Sequence, residues 1–257
     1  MTDIYQEIVR IKAEGEEAAL VTIVSATGST PREEGAKMLV RADGSILGTI
    51  GGGSAEAQVI KEAIKVIGQG KPKHIHTSLN AKDVEDEGML CGGVMEIFIE
   101  PILTPPTIYI FGGGHISLSL ARISKLLGFK IAVIDDRPDF ANADRFPDAD
   151  TIIAEDFAKS FPKLKVDKSS YIVIVTRNHQ YDDIVLEWAV GTKAKYIGMI
   201  GSQNKNKAIF SHLLTKGITK KQLDRVHAPI GVEINAQTPE EIAISILAEI
   251  VKVRRSP

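Results

Sequence analysis

Residues 107–137 read TIYIFGGGHISLSLARISKLLGFKIAVIDDR, and the order of residue types in this stretch decides the fold. Ile108, Tyr109, Ile110 and Phe111 form a short apolar run of the kind a parallel sheet buries on both faces. Gly112, Gly113 and Gly114 then turn the chain. Gly112 permits a tight bend, and Gly114 lets the backbone come close to a pyrophosphate, whose charge meets the amides and positive dipole end of a helix that starts near His115. Leu118, Leu120, Ala121, Ile123 and Leu127 give that helix an apolar side, and residues 131–134 restore a strand. Asp135 stands 21 residues beyond Gly114, where a dinucleotide fold puts the carboxylate that accepts ribose hydroxyls, and Arg137 is grouped with it as a ligand-binding residue. The third glycine of the fingerprint falls on Ser117, which is small enough to keep helix and strand close. Strand, glycine turn, helix, strand and acid in this order predict a Rossmann-like parallel sheet.

Outward from this stretch, EPILTPPTIYIF places Pro101, Pro105 and Pro106 just before the first strand, and a proline cluster interrupts regular structure. The predicted boundary is there. Residues 1–103 make a smaller N-terminal α+β domain, and residues 104–257 the Rossmann-like nucleotide-binding domain, so the fold class is α/β. In the first domain, residues 4–12 carry Ile4, Ile8 and Ile11 at helical spacing and residues 19–24 read as a strand. Residues 37–41 and 45–49 flank Asp43-Gly44, the signal of a hairpin with a primed turn. The hairpin delivers the chain into Gly51, Gly52 and Gly53, after which residues 55–67 read as a helix with Ala63, Ile64 and Ile67 inward. Three consecutive glycines cost chain entropy, so this second turn is a candidate anion cradle, with Arg32 of the STPREEGA loop as a further contact.

The chain has 257 residues, 44% hydrophobic and 25% charged, enough for two modest cores. A net charge of -2 gives no electrostatic reason to expect nucleic acid. The opening segment MTDIYQEIVRIKAEGEEAA carries charges throughout without an apolar centre, so it reads as neither signal peptide nor membrane anchor, and a cytoplasmic protein is expected. Cys91 is the only cysteine; it forms no disulfide within the chain and suits a reducing compartment. Two glycines follow it directly, which favours an accessible thiol over a small buried hydrophobe. His74 and His76 alternate on one strand face without an evident third metal ligand, and are taken as an exposed face.

In the second domain, residues 171–175 form a buried strand ending in TRNHQYDD, and residues 195–200 another ending in GSQNKNK. Loops that leave the carboxyl ends of parallel strands line the ligand crevice, which groups Arg177, Asn178, His179, Asp182, Ser202 and Lys205; Asp182 is alternatively a helix cap. Near the end, Thr238, Pro239 and Glu241 make a capping box that opens a terminal helix.

Several separated strings resemble one family: GSTPREEGAKMLV, DGSILGTIGGGSAE, MLCGGVMEIFIEP, IFGGGHISLSLA, VIDDRPDFANADRFPDAD, TRNHQYD, YIGMIGS and APIGVEINAQTPEEIAISILAEI. The chain is similar over nearly its full length to the XdhC/CoxI family of accessory proteins for molybdenum hydroxylases such as xanthine dehydrogenase. The resemblance implies a factor that binds molybdenum cofactor (molybdopterin), protects it during sulfuration and assists its insertion into a molybdenum hydroxylase apoenzyme. It also implies a sulfur-donating desulfurase as second partner, a homodimer, and a chaperone without turnover of its own. The chain departs from the family at Ser54, where many relatives carry cysteine, and at Ser117, Asn178 and Asn235. If a thiol contacts molybdenum or a sulfur carrier, it is Cys91. Two placements of the phosphate stand side by side: Gly52 and Gly53 in the first domain, or Gly112, Gly114 and His115 in the second with Asp135 on a sugar. Two other functions compete. An NAD-dependent oxidoreductase, with NAD or another adenine nucleotide as cofactor, would need a proton donor beside the nicotinamide, and His179 or His115 is the evident candidate. A nucleotide-sensing module would couple ligand to partner affinity.

Overall fold

The structure is a computed structural model and describes residues 3–78 and 93–256. The chain divides into two compact units, Met1–Thr104 and Pro105–Pro257.

The first unit holds helices α1 (Ile4–Glu14) and α2 (Gly53–Gln69) and strands β1 (Ala18–Thr27), β2 (Lys37–Arg41), β3 (Ile46–Gly48), β4 (Lys73–Ser78) and β5 (Val94–Ile102). The strands form an antiparallel sheet in the order β3-β2-β1-β5-β4. The central strand begins AALV, with no polar residue, because both faces are covered and successive side chains point to opposite sides. Ala18 and Leu20 meet Ile4, Ile8 and Ile11 of α1, whereas Ala19, Val21 and Ile23 meet Val59, Ala63, Val66 and Ile67 of α2. Ile64, expected inward, is 39% exposed; the buried stripe of α2 runs through Val59 and Val66 instead. The Asp43-Gly44 hairpin is present but its turn is not primed. Gly44 N–H donates to Arg41 O, Gly44 has φ +85° and Asp43 keeps negative φ, which is the three-residue loop of a type I turn closed by a left-handed glycine.

The second unit holds β6 (Thr107–Phe111), α3 (His115–Leu126), β7 (Lys130–Asp135), β8 (Thr151–Ala154), α4 (Phe157–Ser160), β9 (Ser170–Ile174), α5 (His179–Ala189), β10 (Tyr196–Met199), α6 (Gln203–Thr215), α7 (Lys220–Leu223), β11 (Val226–His227) and α8 (Pro239–Arg255). All six strands run parallel in the order β11-β10-β9-β6-β7-β8. Chain order reverses between β6 and β9, and a doubly wound sheet opens its ligand crevice at that point, beyond the carboxyl ends of the strands. Leu120 and Ala121 of α3 and Ala243, Ile246 and Ile250 of α8 cover one face, against Ile108, Ile110, Ile131 and Val133. Val185 and Leu186 of α5 and Ile209 and Leu213 of α6 cover the other, against Phe111, Ile134, Ile172 and Ile174. Leu127, expected on the apolar side of α3, is 39% exposed beyond the helix end. The Thr238–Glu241 capping box opens α8 as expected, with both reciprocal hydrogen bonds made. Asn235 has φ +56°; among non-glycine residues asparagine is one of the few that tolerates this region.

Candidate functional site

The glycine turn after β6 sits where β6, β7 and β9 end. Gly112 N–H donates to Ile134 O at 2.7 Å, and Gly112 has φ +112°. A methyl group there would stand 2.4 Å from Val175 O, so the close approach to the end of β9 requires glycine. Gly113 is pressed under the next loop, since a methyl group would meet Phe140 O at 2.2 Å. Gly114 differs from both. It has φ −74°, a methyl group on it would meet nothing within 4 Å, and it starts α3 with no side-chain cap and no acidic residue in the first turn. The free amides of that helix start, with exposed His115 as first residue, are the part of the turn that remains open to an anion. Ser117, in place of the third glycine, is fully buried and its hydroxyl donates to Gly112 O at 2.6 Å, which closes the turn from inside.

Asp135 ends β7 as expected, but its carboxylate is engaged within the chain. Oδ2 accepts from Gly113 N–H (2.7 Å) and Arg137 Nη2 (3.0 Å); Oδ1 accepts from Arg137 N–H (3.0 Å) and Arg137 Nε (2.9 Å). Only 2% of Asp135 is exposed. Burial pushes this carboxyl up, but the hydrogen bonds from Arg137 and Gly113 outweigh it and hold the group below the usual carboxylate range. Arg137 in turn stacks its guanidinium 3.5 Å over the Phe140 ring.

Four residues beside the turn escaped the sequence reading. Arg145 Nη2 donates to Gly113 O at 3.1 Å, while its Nε is buried without a partner. Phe140 carries the Arg137 stack. Asp136 Oδ2 accepts from Arg177 Nη2 (2.7 Å) and from the Tyr181 hydroxyl (3.0 Å), and so joins the loop after β7 to the start of α5. The string DDRPDFANADRF holds three of them, but no spacing rule marks an arginine that acts on a backbone carbonyl. Arg137 is paired with Asp135 and Arg177 with Asp136, whereas Arg145 makes no ion pair among the described residues.

The residues grouped after β9 and β10 take different places. Arg177 reaches Asp136 and Tyr181, as above. His179 is the exposed first residue of α5 and lines, with Asp183 and Ile184 of α5 and Ile209 and His212 of α6, a groove of 360 Å³. Among the described residues no hydrogen bond joins His179 or His115 to the turn, so neither is held as a proton donor beside it. Ser202 caps α6, accepting from Lys205 N–H at 3.3 Å. Asp182 is not the helix cap: Asn178 Oδ1 takes that role, accepting from Tyr181 N–H at 3.1 Å. Asp182 is fully buried instead, between the Thr176 hydroxyl and Lys205 Nζ, each 2.6 Å away. The pair joins the first turns of α5 and α6.

In the first unit, the Gly51–Gly53 turn already holds an anion from its own chain. Glu56 Oε2 accepts from Ile50 N–H (3.0 Å), Gly52 N–H (3.1 Å) and the Thr49 hydroxyl. Burial raises this carboxyl, and hydrogen bonds from Thr49, Gly52 and Ile50 bring it below its ordinary value. Pro31 packs on Gly51, where a methyl group would lie 2.3 Å from its ring, and Arg32 is exposed. The phosphate cradle expected at Gly52 and Gly53 is thus filled at Gly52 by a carboxylate of the same helix. Cys91 and the adjoining Gly92 lie outside the described residues, so the thiol expected near molybdenum has no structural account. Among the described residues no cluster of three or more His, Cys, Asp or Glu is placed to hold a metal ion. No helix among them is long and apolar enough to cross a membrane.

Comparison with known proteins gives two family matches: the XdhC and CoxI family over residues 11–78 and the XdhC Rossmann domain over residues 108–250. YqeB of Escherichia coli K12 is 36% identical over 255 residues, covering 99% of this chain and 47% of YqeB. A Bacillus subtilis 168 protein named as a probable xanthine dehydrogenase subunit is 30% identical over 164 residues, 62% of this chain and 46% of that protein. The molybdenum cofactor insertion chaperone PaoD of Escherichia coli K12 is 25% identical over 287 aligned residues, 99% of this chain and 90% of PaoD. The chain spans about half the length of the first two relatives. A crystal structure described as a xanthine dehydrogenase from Bacillus halodurans has a TM-score of 0.53 at 23% identity, covering 99% of this chain and 96% of its own, and shows the same fold.

Proposed function

Because this chain belongs to the XdhC and CoxI family, we propose that it is an accessory protein that binds molybdenum cofactor and delivers it to a molybdenum hydroxylase such as xanthine dehydrogenase. The names of two relatives, a molybdenum cofactor insertion chaperone and a probable xanthine dehydrogenase subunit, support the class. In this reading the partners are the hydroxylase apoenzyme and a sulfur-donating desulfurase, and the carrier works as a cytoplasmic homodimer without turnover of its own.

One observation carries the placement of the ligand. Of the two glycine turns, the one at Gly52 gives its amide to Glu56, whereas the helix start at Gly114 has no side-chain cap and no acid in its first turn and follows Gly113, whose carbonyl is bonded by Arg145, a guanidinium without an ion pair among the described residues. Molybdenum cofactor carries a phosphate, and an uncapped helix start with nearby guanidinium groups fits a phosphate. Arg145 and Arg177 are the residues that would steady it, and the remaining donors around the turn would orient the pterin.

The test uses Gly114→Asp. A side chain fits there without a clash, and aspartate at a helix N-cap favours the helix, so the variant folds while placing a negative charge where the phosphate is bound. Protein expressed in a molybdenum-replete host is assayed for released pterin by fluorescence and for molybdenum by mass spectrometry. Wild type is expected to carry both, and Gly114→Asp to lose at least about tenfold. Equal pterin in the two proteins, or none in wild type, defeats the reading.

A further inference from the structure

The carboxylate at the end of β7 is the group by which a dinucleotide fold reads a ribose, accepting from its two adjacent hydroxyls. An ionised carboxylate has about four in-plane acceptor positions. In Asp135 all four are taken, three by Arg137 and one by Gly113 N–H, at 2.7–3.0 Å. A ribose diol would have to displace the Arg137 guanidinium, and its uncharged hydroxyls would restore hydrogen bonds to the carboxylate but not the ion pair. It would also leave Arg137, 28% exposed, with only the more distant Asp136 Oδ1, 3.9 Å from its Nε, as counter-charge.

Arg137 is itself held. Its guanidinium lies 3.5 Å over Phe140, and Phe140 is fixed by contact with Gly113, where no Cβ fits. Phe140 N–H and Ala141 N–H both donate to Arg137 O, which winds residues 137–141 into a turn over the glycine bend. The arginine therefore cannot leave Asp135 without unstacking from a loop that packs on the turn. The structure does not fit the nicotinamide dinucleotide that the glycine fingerprint implies.

We propose that Arg137 is a specificity-determining residue that shuts this crevice to a ribose diol, so that the ligand is a phosphorylated small molecule bringing no vicinal diol to the end of β7. The proposal rests on the reading of the crevice as the ligand site and narrows what that site accepts. Arg137 acts through Asp135 and is separate from the α3 start that takes the phosphate.

The experiment titrates full-length wild type, Arg137→Ala and Asp135→Asn with NADH, following its fluorescence. Wild type and Asp135→Asn are expected to show no saturation up to about 1 mM, and Arg137→Ala to bind at least about tenfold more tightly than wild type. Saturable binding to wild type that Asp135→Asn abolishes, or a folded Arg137→Ala that gains nothing, overturns the proposal. Should Arg137→Ala fail to fold, calorimetry of wild type with ADP and with 2′,3′-dideoxy-ADP decides: equal affinities, or binding of neither, uphold it, and a preference for ADP of about tenfold or more overturns it. Pterin is measured on the same preparations. Its absence from wild type sinks the carrier reading alone, while the diol result stands on the nucleotide titrations.

Discussion

Gly112 and Gly114 lie two positions apart in one turn and differ in what a methyl group would meet. At Gly112 it would strike Val175 O at 2.4 Å on a backbone with φ +112°; at Gly114 it would enter open space on a backbone with φ −74°. Gly112→Ala is expected to cost at least about 2 kcal/mol, from positive-φ strain together with displacement of the β9 end. Gly114→Ala meets no clash and is expected to cost less, up to about 1 kcal/mol, because alanine is a poorer N-cap than glycine. Urea unfolding of the two variants measures the difference, and equal losses would mean that the close approach at Gly112 is not needed. A second single-residue effect belongs to Glu7 of α1, which accepts from Arg10 (2.7 Å) and Arg41 (2.8 Å). Those hydrogen bonds, from Arg10 first and Arg41 second, lower its pKa from the ordinary 4.5 to about 2. A depressed carboxyl contributes stability that is present above its unfolded value and fades as pH falls from 4.5 toward 2. Glu7→Gln should therefore flatten the acid side of the stability profile, and an unchanged slope in that window would show that the two arginines do not hold Glu7 in solution.

At the scale of elements, each glycine turn feeds a helix and each has a carboxylate on its amides, but from different sources. Asp135 comes to Gly113 from the next strand, whereas Glu56 comes to Ile50 and Gly52 from the first turn of the helix itself. Glu56→Ala would leave two amides and a hydroxyl without an acceptor and is expected to destabilise the protein by about 1–3 kcal/mol. Added acetate should recover part of that loss relative to chloride at equal ionic strength, and no difference between the salts would mean that the turn is not an anion cradle even when emptied. The turns also mark how far sequence reading carries. Strands, helices and glycine bends follow from local periodicity and from the few residues that tolerate left-handed backbone, so 107–137 could be read almost residue by residue. The partner of each carboxylate could not. That Asp135 meets Arg137 and not a ligand, that Asn178 and not Asp182 caps α5, and that the Asp43-Gly44 turn needs one left-handed residue and not two are set by side-chain packing and three-dimensional approach. Asn235 is the converse case: a residue whose own type suits the left-handed backbone it adopts.

For the whole molecule, each unit closes a core of its own. The first covers its antiparallel sheet with α1 and α2, and the second covers its parallel sheet with α3 and α8 on one side and α5 and α6 on the other. The sequence supports both sheets, through proline spacing and apolar runs, but left the phosphate shared between two glycine turns, because composition is the same at each and only the acceptors on their amides distinguish them. A ligand held at the α3 start would stay with the second unit alone. Residues 105–257 expressed alone should unfold in one cooperative transition, since their core needs nothing from residues 3–104 to be covered on both faces. If the pterin phosphate is bound at Gly114, this fragment should retain pterin when purified from a molybdenum-replete host, and residues 3–104 should not. Retention by the N-terminal fragment alone would return the phosphate to Gly52 and Gly53, with Glu56 as the group it displaces, and Gly114→Asp would then leave the full-length carrier loaded.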